Sequence, residues 1–391
     1  MIRFDNHDLC EYCFEELDPQ TAMTHCCTRQ TNPQKFPVAL TEGTILKGRY
    51  IVGKVLGKGG FGITYLCYDM HSNRKVAIKE YFPSHCCYRN TGEKDVSVLS
   101  DQDVYKIGAK KFHEEASLLS TFAGNKGIVE VMSAFRENKT EYFVMEYLSG
   151  KDIKTFYNDN APLDENYVIY IIDQVLKALR VIHSKQVIHR DISPTNVFFT
   201  DSGDVKLIDF GASRVVVSGA SKTITTILNP GLAPPEQFKK NGNQGPWTDI
   251  FALGGTMYYL LKGCLPAPTP MRQTSDTLDM DGISPGLAYI LSKMLALRIE
   301  MRYQSAQEVL NAIDAYQKGK MTVMTDTYPN DAGVTTVGTN GGTTGGTTGG
   351  MTGGSANGTT NSDTKKILIP LLIVLAAVLG ISVVLAILLT L

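Results

Sequence analysis

The run His189-Arg190-Asp191-Ile192-Ser193-Pro194-Thr195-Asn196, followed after Val205-Lys206-Leu207-Ile208 by Asp209-Phe210-Gly211, limits what this chain can fold into more than any other feature. Two carboxylates and a carboxamide from two separate segments suit a hard divalent cation, which takes oxygen ligands and bridges phosphates. They serve one site only if the fold gathers them. Upstream stand Gly57-Lys58-Gly59-Gly60-Phe61-Gly62 and Val76-Ala77-Ile78-Lys79. Glycines at 57, 59 and 62 let a backbone approach phosphates and adopt dihedrals closed to other residues. A dinucleotide-binding loop of the same pattern opens into a helix. Here Tyr50 to Leu56 reads as a strand, and the loop runs into Ile63-Thr64-Tyr65-Leu66-Cys67-Tyr68-Asp69, whose β-branched and aromatic content predicts another. A glycine-tipped hairpin over phosphates is therefore expected.

With these four motifs in this order, the chain resembles eukaryotic-type (Hanks-type) protein kinases from about Arg49 to Lys318, and within them the bacterial membrane-anchored serine/threonine-protein kinases. The resemblance implies a two-lobe α+β fold, with a sheet-rich lobe from about Arg49 to Met145 and a mostly helical lobe from about Glu146 to Lys318. ATP would lie between them, and its γ-phosphoryl group would pass to Ser or Thr hydroxyls of protein substrates. Asp191 would accept or orient the proton of the attacking hydroxyl, and Asn196 and Asp209 would hold Mg2+, or Mn2+ in its place. Lys79 would neutralise the α- and β-phosphates, held by Glu115 in Lys111-Phe112-His113-Glu114-Glu115-Ala116-Ser117-Leu118-Leu119, whose apolar positions recur at helical spacing. Glu114 is the competing choice, since helical geometry turns only one of the two inward. The nucleotide would be walled by Leu56, Gly57, Lys58, Gly59, Gly60, Phe61, Gly62, Thr64, Ala77 and Phe198, with Thr64 where the family usually has valine. Tyr142-Phe143-Val144-Met145 reads as a buried strand, and Glu146-Tyr147-Leu148 as the hinge, with Glu146 and Leu148 at the adenine edge.

Val168, Ile169, Ile172, Val175, Leu176, Leu179 and Ile182 predict a long amphipathic helix delivering the chain to His189. The resemblance further implies an ion pair between Glu236 and Arg302 and a buried Asp249 bonded to the catalytic-loop backbone, both as scaffold. Arg190 in the family often pairs with a phosphate on the activation segment, here Asp209 to Glu236; Thr223, Thr225 and Thr226 are the expected autophosphorylation sites, with a homodimer serving that step. Some positions depart from the pattern. Ser193 stands where most Ser/Thr kinases place Lys, Asn229 where a Thr often contacts the catalytic Asp, and Leu232 replaces a frequent Tyr. The short stretch Leu265 to Met280 leaves little room for a substrate-docking helix. These departures support an alternative, a membrane-tethered ATP-binding pseudokinase scaffold. Retention of Lys79, Glu115, Asp191, Asn196 and Asp209 counts against it. A small-molecule kinase is disfavoured by the activation segment ending Ala233-Pro234-Pro235-Glu236.

The remaining segments differ in composition. In residues 1–40, Cys10-Glu11-Tyr12-Cys13 and Cys26-Cys27 suggest a degenerate zinc ribbon, completed by His25 or His7; the competing reading is a loosely ordered arm with reduced thiols. The eight cysteines are not spread as a disulfide framework, which points to a reducing compartment. The N-terminus shows no secretory pattern. A net charge of -1, with no long Lys/Arg run, argues against nucleic acid as a partner. Residues 319–364 are Thr/Gly/Asn repeats that bury too little apolar surface to order, a tether spanning roughly 35 Å. Residues 367–391 carry no charge; as a helix they would be about 37 Å long, enough to cross a hydrocarbon core of about 30 Å. Lys365 and Lys366 assign their N-terminal edge to the cytoplasm, so the catalytic lobes would sit on the cytoplasmic face of a bacterial cell membrane, with nothing folded beyond the helix.

Overall fold

The computed structural model describes residues 2–4, 7–17, 36–99, 102–210, 215–218, 223–226 and 228–319. Cys26, Cys27, Gly211, the tether beyond residue 319 and the apolar segment 367–391 lie outside the described residues. Among the described residues no helix is long and apolar enough to cross a membrane, and no group of three or more His, Cys, Asp or Glu residues could hold a metal ion.

Strands β1 (Ile2–Phe4) and β2 (His7–Leu9) form a hairpin. The chain then builds β3 (Ile45–Leu46), β4 (Tyr50–Lys58), β5 (Gly62–Asp69) and β6 (Arg74–Tyr81). A short hairpin of β7 (Cys87–Tyr88) and β8 (Ser97–Val98) follows, then helix α1 (Gln102–Ser120), β9 (Val131–Glu137) and β10 (Thr140–Glu146). The main sheet runs β3-β4-β5-β6-β10-β9, antiparallel throughout. It takes in Ile45 and Leu46, upstream of Arg49, where the kinase-like segment was expected to begin.

Both faces of this sheet are covered, so β5 and β6 are buried almost throughout rather than at alternate positions. On one face α1 presents Tyr105, Phe112, Ala116 and Leu119 at helical spacing, with the Phe112 ring centroid 4.9 Å from that of Phe143 of β10. On the other, residues 36–40 and the segment after β6 close over the strands. There Glu80 is fully buried. Its carboxylate accepts from Tyr65 Oη and Tyr142 Oη, both at 2.7 Å, and from the Arg89 guanidinium. Arg89 also donates to the carbonyls of Val38 (2.9 Å) and Lys94 (3.0 Å). A charge removed from water needs such partners, and here they fasten the segment following Glu80-Tyr81-Phe82-Pro83 to the sheet. Cys86 and Cys87 are buried in this segment, and burial pushes both thiols up, Cys87 to about 12, so neither is an activated nucleophile.

Beyond β10 come β11 (Gly150–Asp152), α2 (Ile153–Asn160), α3 (Glu165–Ser184), β12 (Val197–Thr200) and β13 (Val205–Leu207). The antiparallel sheet β11-β12-β13 leads toward Asp209. Strands β14 (Val215–Ser218) and β15 (Thr223–Thr226) pair next, and β14 lies against α1. The large lobe is completed by α4 (Pro246–Lys262), α5 (Thr269–Arg272), α6 (Pro285–Met294) and α7 (Ala306–Gln317). Helix α3 starts at Asp164, whose carboxylate accepts from Tyr167 N at 2.9 Å, a cap contributing about 1 kcal/mol. Its apolar stripe, Val168 through Ile182, is buried as the spacing predicts. Helix α4 is buried all round from Thr248 to Leu260, and α3 and α6 pack against it. The stretch Leu265 to Met280 holds only the single turn α5.

Candidate active site

The cleft between the lobes is about 530 Å³. Its roof is β4 and β5 with their glycine-tipped turn, which contributes Leu56, Gly57, Lys58, Gly59, Gly60, Phe61, Gly62 and Thr64. The tight strand pairing at Gly62 requires glycine: a Cβ there would stand 2.5 Å from the Glu80 carbonyl oxygen. Ala77 and Lys79 point into the cleft from β6, because alternate residues of a strand share a face and Glu80 takes the other. Met145, Glu146, Tyr147 and Leu148 form the back and the connecting strand; Phe198 comes from β12.

Lys79 Nζ lies 2.5 Å from Asp209 Oδ1 and 3.6 Å from Glu115 Oε1. Glu115 is fully buried on the inner face of α1, whereas Glu114 is exposed and pairs with Lys110 at 3.7 Å. The phase of the helix therefore turns Glu115 inward. Asp191, Asn196 and Asp209 line the floor. Asn196 Nδ2 donates to the Asp191 carbonyl at 2.8 Å and also to its carboxylate, tying the two ends of the loop. Phe210, next to Asp209, is buried 4.4 Å from the ring of His189.

A protein kinase domain model matches residues 50–315. The chain belongs to the protein kinase family. This kinase is 31% identical over 306 residues to serine/threonine-protein kinase F of Synechocystis sp., covering 73% of this chain and 59% of that protein. To serine/threonine-protein kinase PknA of Nostoc sp. it is 30% identical over 283 residues, 69% of this chain and 47% of that one. It thus spans about half the length of the curated relatives it matches. The solved structure titled PpkA-294 apo form superposes with a TM-score of 0.65 at 31% identity, covering 71% of this chain and 99% of the other.

In this kinase the loop of residues 189–196 is held from below. Asp249 of α4, fully buried, accepts from His189 N (2.8 Å) and Arg190 N (2.7 Å), and its Oδ2 lies 2.8 Å from His183 Nε2. Glu236 and Arg302 form a buried pair at 2.8 Å, and Arg302 also donates to the carbonyls of Ala296 and Trp247. Gln237 Nε2 donates to the Arg190 carbonyl at 3.0 Å, tying the end of the activation segment to the loop. No pattern in the sequence announces that bond.

At the positions that depart from the family pattern, Ser193 is buried and shares a hydrogen bond with Thr195 (3.0 Å). Asn229 turns its side-chain oxygen to Gly231 N (3.2 Å), serving its own turn. Arg190 is exposed, with its backbone at φ 68°. Lys111 of α1 lies in its field: burial lowers the Lys111 pKa, and Arg190's like charge lowers it further. Thr223, Thr225 and Thr226 all fall in β15.

The cleft also takes in Val129, Asp152, Thr195 and Ile208. Thr195 and Ile208 sit inside or beside motifs. Asp152 had a signal of its own, since it caps α2 by accepting from Thr155 N at 3.0 Å. Val129 had none; its amide bonds to Leu207 O at 3.0 Å across the fold. Cys10 and Cys13 lie at the turn after β2 and do not themselves line the cleft.

Proposed function

We propose that this kinase transfers the γ-phosphoryl group of ATP to Ser or Thr hydroxyls of proteins. The observation that carries this reading is the convergence of Lys79, paired to Glu115 and Asp209, with Asp191 and Asn196 in one cleft. Asn196 uses its Nδ2 on Asp191, which leaves its side-chain oxygen to act with the Asp209 carboxylate. Such a hard, all-oxygen donor pair fits Mg2+ or Mn2+ better than a thiophilic metal. The ion, when bound, would neutralise charge on the β- and γ-phosphates. Lys79 holds the α- and β-phosphates, with Glu115 fixing its ammonium. Asp191 orients the acceptor hydroxyl and takes its proton at a carboxylate oxygen. Its position is set by Asn196 from the side and by Asp249 through the loop backbone. Ser193 supplies no cation at the γ-phosphate, so transfer is slower than with Lys there.

The test is labelled-ATP transfer to a generic basic protein by the full chain and by Asp191→Asn. Loss of the proton acceptor should cost about 10²–10⁴-fold in rate while nucleotide binding persists. Equal labelling by both forms would refute the reading; a wild type that binds ATP and transfers nothing would favour the scaffold.

Two further elements belong to this reading. Autophosphorylation at Thr223, Thr225 or Thr226, within a pair of chains, is supported by the proximity of Arg190 and Lys111 beside the helix that β14 lies against. Mass spectrometry after incubation with ATP should find phosphate on residues 223–226, and its absence there removes the idea. Residues 367–391 would anchor the kinase to the cytoplasmic face of a membrane, on the strength of their length and lack of charge. Recovery of the full chain in the soluble fraction after cell breakage would contradict this.

A further inference from the structure

The segment 9–17 lies upstream of the family match and takes no part in the reaction above, yet it is built into the small lobe. Leu9 and Phe14 are buried against Ile51 of β4 and Leu66 and Tyr68 of β5, with the Phe14 and Tyr68 ring centroids 5.6 Å apart. Lys54 N donates to the Tyr12 carbonyl at 2.9 Å, and Glu15 pairs with Lys75 of β6. Strand β4 makes room for this segment. A Cβ at residue 53 would stand 2.6 Å from Phe14 Cε2 and 2.8 Å from Tyr12 O, so the neighbouring segment, not the strand's own dihedrals, demands glycine there. Phe14 itself sits at φ 51°, a left-handed conformation unfavourable for an aromatic residue that persists only where surrounding packing imposes it.

The location matters more than the burial. Thr64, Leu66 and Tyr68 alternate onto one face of β5; Thr64 lines the cleft, and the next two carry the segment. It therefore sits on the continuation of the cleft roof. Its far edge reaches Tyr147, which lines the cleft and also packs against the Leu9–Phe14 cluster. Burial raises the Tyr147 hydroxyl's pKa, and the nearby Glu15, Asp201 and Cys13 raise it further, so the N-terminal segment and the large lobe both close around this side chain.

We propose that residues 9–17 are a brace on the hinge: Phe14, wedged against Gly53 and Tyr68, holds Tyr147 and the adjoining backbone of Glu146 and Leu148 in the geometry that receives the nucleotide base. Phe14 and Tyr147 are then positioning residues for binding rather than catalytic ones. The proposal deepens, and rests on, the assignment of the cleft to ATP.

The experiment measures the dissociation constant of a fluorescent ATP analogue with Mg2+ on the full chain, for wild type, Gly53→Ala, Phe14→Ala, Phe14→Leu and the double variant Gly53→Ala/Phe14→Ala. If loss of the brace leaves the hinge competent about one fifth of the time, Gly53→Ala and Phe14→Ala each weaken binding about fivefold. The double variant should be no weaker than the worse single one, because both remove the same contact. Phe14→Leu should retain most of the affinity, whereas in Gly53→Ala and Phe14→Ala KM for ATP should rise with kcat nearly unchanged. Incomplete folding would lower the binding stoichiometry without altering the dissociation constant of the folded fraction. Unchanged affinity in Gly53→Ala and Phe14→Ala, even with lower melting temperatures, would overturn the brace alone. A wild type that binds no nucleotide would overturn the cleft's assignment and the brace with it.

Discussion

Replacing Arg89 by Met removes the guanidinium from the Glu80 cluster while keeping most of the side chain's length. Arg89 makes two hydrogen bonds to Glu80 and one each to Val38 and Lys94, and its head lies 5.3 Å from the Phe82 ring centroid. Both side chains of the pair are fully buried. The substitution leaves the Glu80 carboxylate with only its two tyrosine donors and no counter-charge. Breaking a buried pair from one side costs about 3–5 kcal/mol. Taking about 3 kcal/mol/M for the urea dependence of a domain this size, the unfolding midpoint should fall by about 1–1.7 M. Circular dichroism in urea measures it. The companion is Glu80→Gln/Arg89→Met: with no charge left to strand, it should recover a large part of the loss, giving a coupling energy of about 1–3 kcal/mol. An Arg89→Met shift below about 0.5 kcal/mol, the range of ordinary surface changes, would mean that the segment after β6 is not docked. Strict additivity in the double variant would mean that the two charges do not act as a pair.

A second electrostatic test uses Asp69, whose carboxylate is held well below the usual range chiefly by hydrogen bonds from Arg49, at 2.7 Å from both Nε and Nη2. A depressed acid contributes stability above its unfolded pKa of about 3.9 and loses it as pH falls toward the folded value. Arg49→Met should therefore cost about 1 kcal/mol at neutral pH, the upper part of the range for a partly exposed pair, and the difference from wild type should shrink below about pH 4; a difference constant from pH 7 to 3 in urea titrations would contradict it. Asp249→Asn replaces one of two carboxylate acceptors for the His189 and Arg190 amides with a donor. The displaced catalytic loop should lower kcat by about 10²-fold, as for a displacement of about 1 Å, with KM for ATP little changed; an unaltered kcat would separate this aspartate from the loop's geometry.

Much of the site was legible because its chemistry is covalently local. The spacing from Asp191 to Asn196, the strand leading to Asp209 and the strand-like residues after Gly62 each need only near neighbours to be read. The sequence favoured Glu115 over Glu114 without deciding between them, because adjacent helical residues differ by the phase of α1, and that phase is set by packing on Phe143 and the sheet. The covered outer face of the sheet was also hidden. Glu80 and Arg89 look like ordinary surface charges in sequence, and only the closure of residues 36–40 over Tyr65 makes them an interior pair.

By itself the sequence determined which groups the chain brings to its cleft and in what order along the chain, since hydrogen-bonding and charge chemistry belong to residue types and short spacings. Tertiary structure alone decided that Gly53 must lack a Cβ, that Tyr147 faces both the cleft and the N-terminal segment, and that Val129 joins the cleft wall. Those facts depend on close contact between segments distant in the chain, and excluded volume acts only between atoms that the fold has brought together.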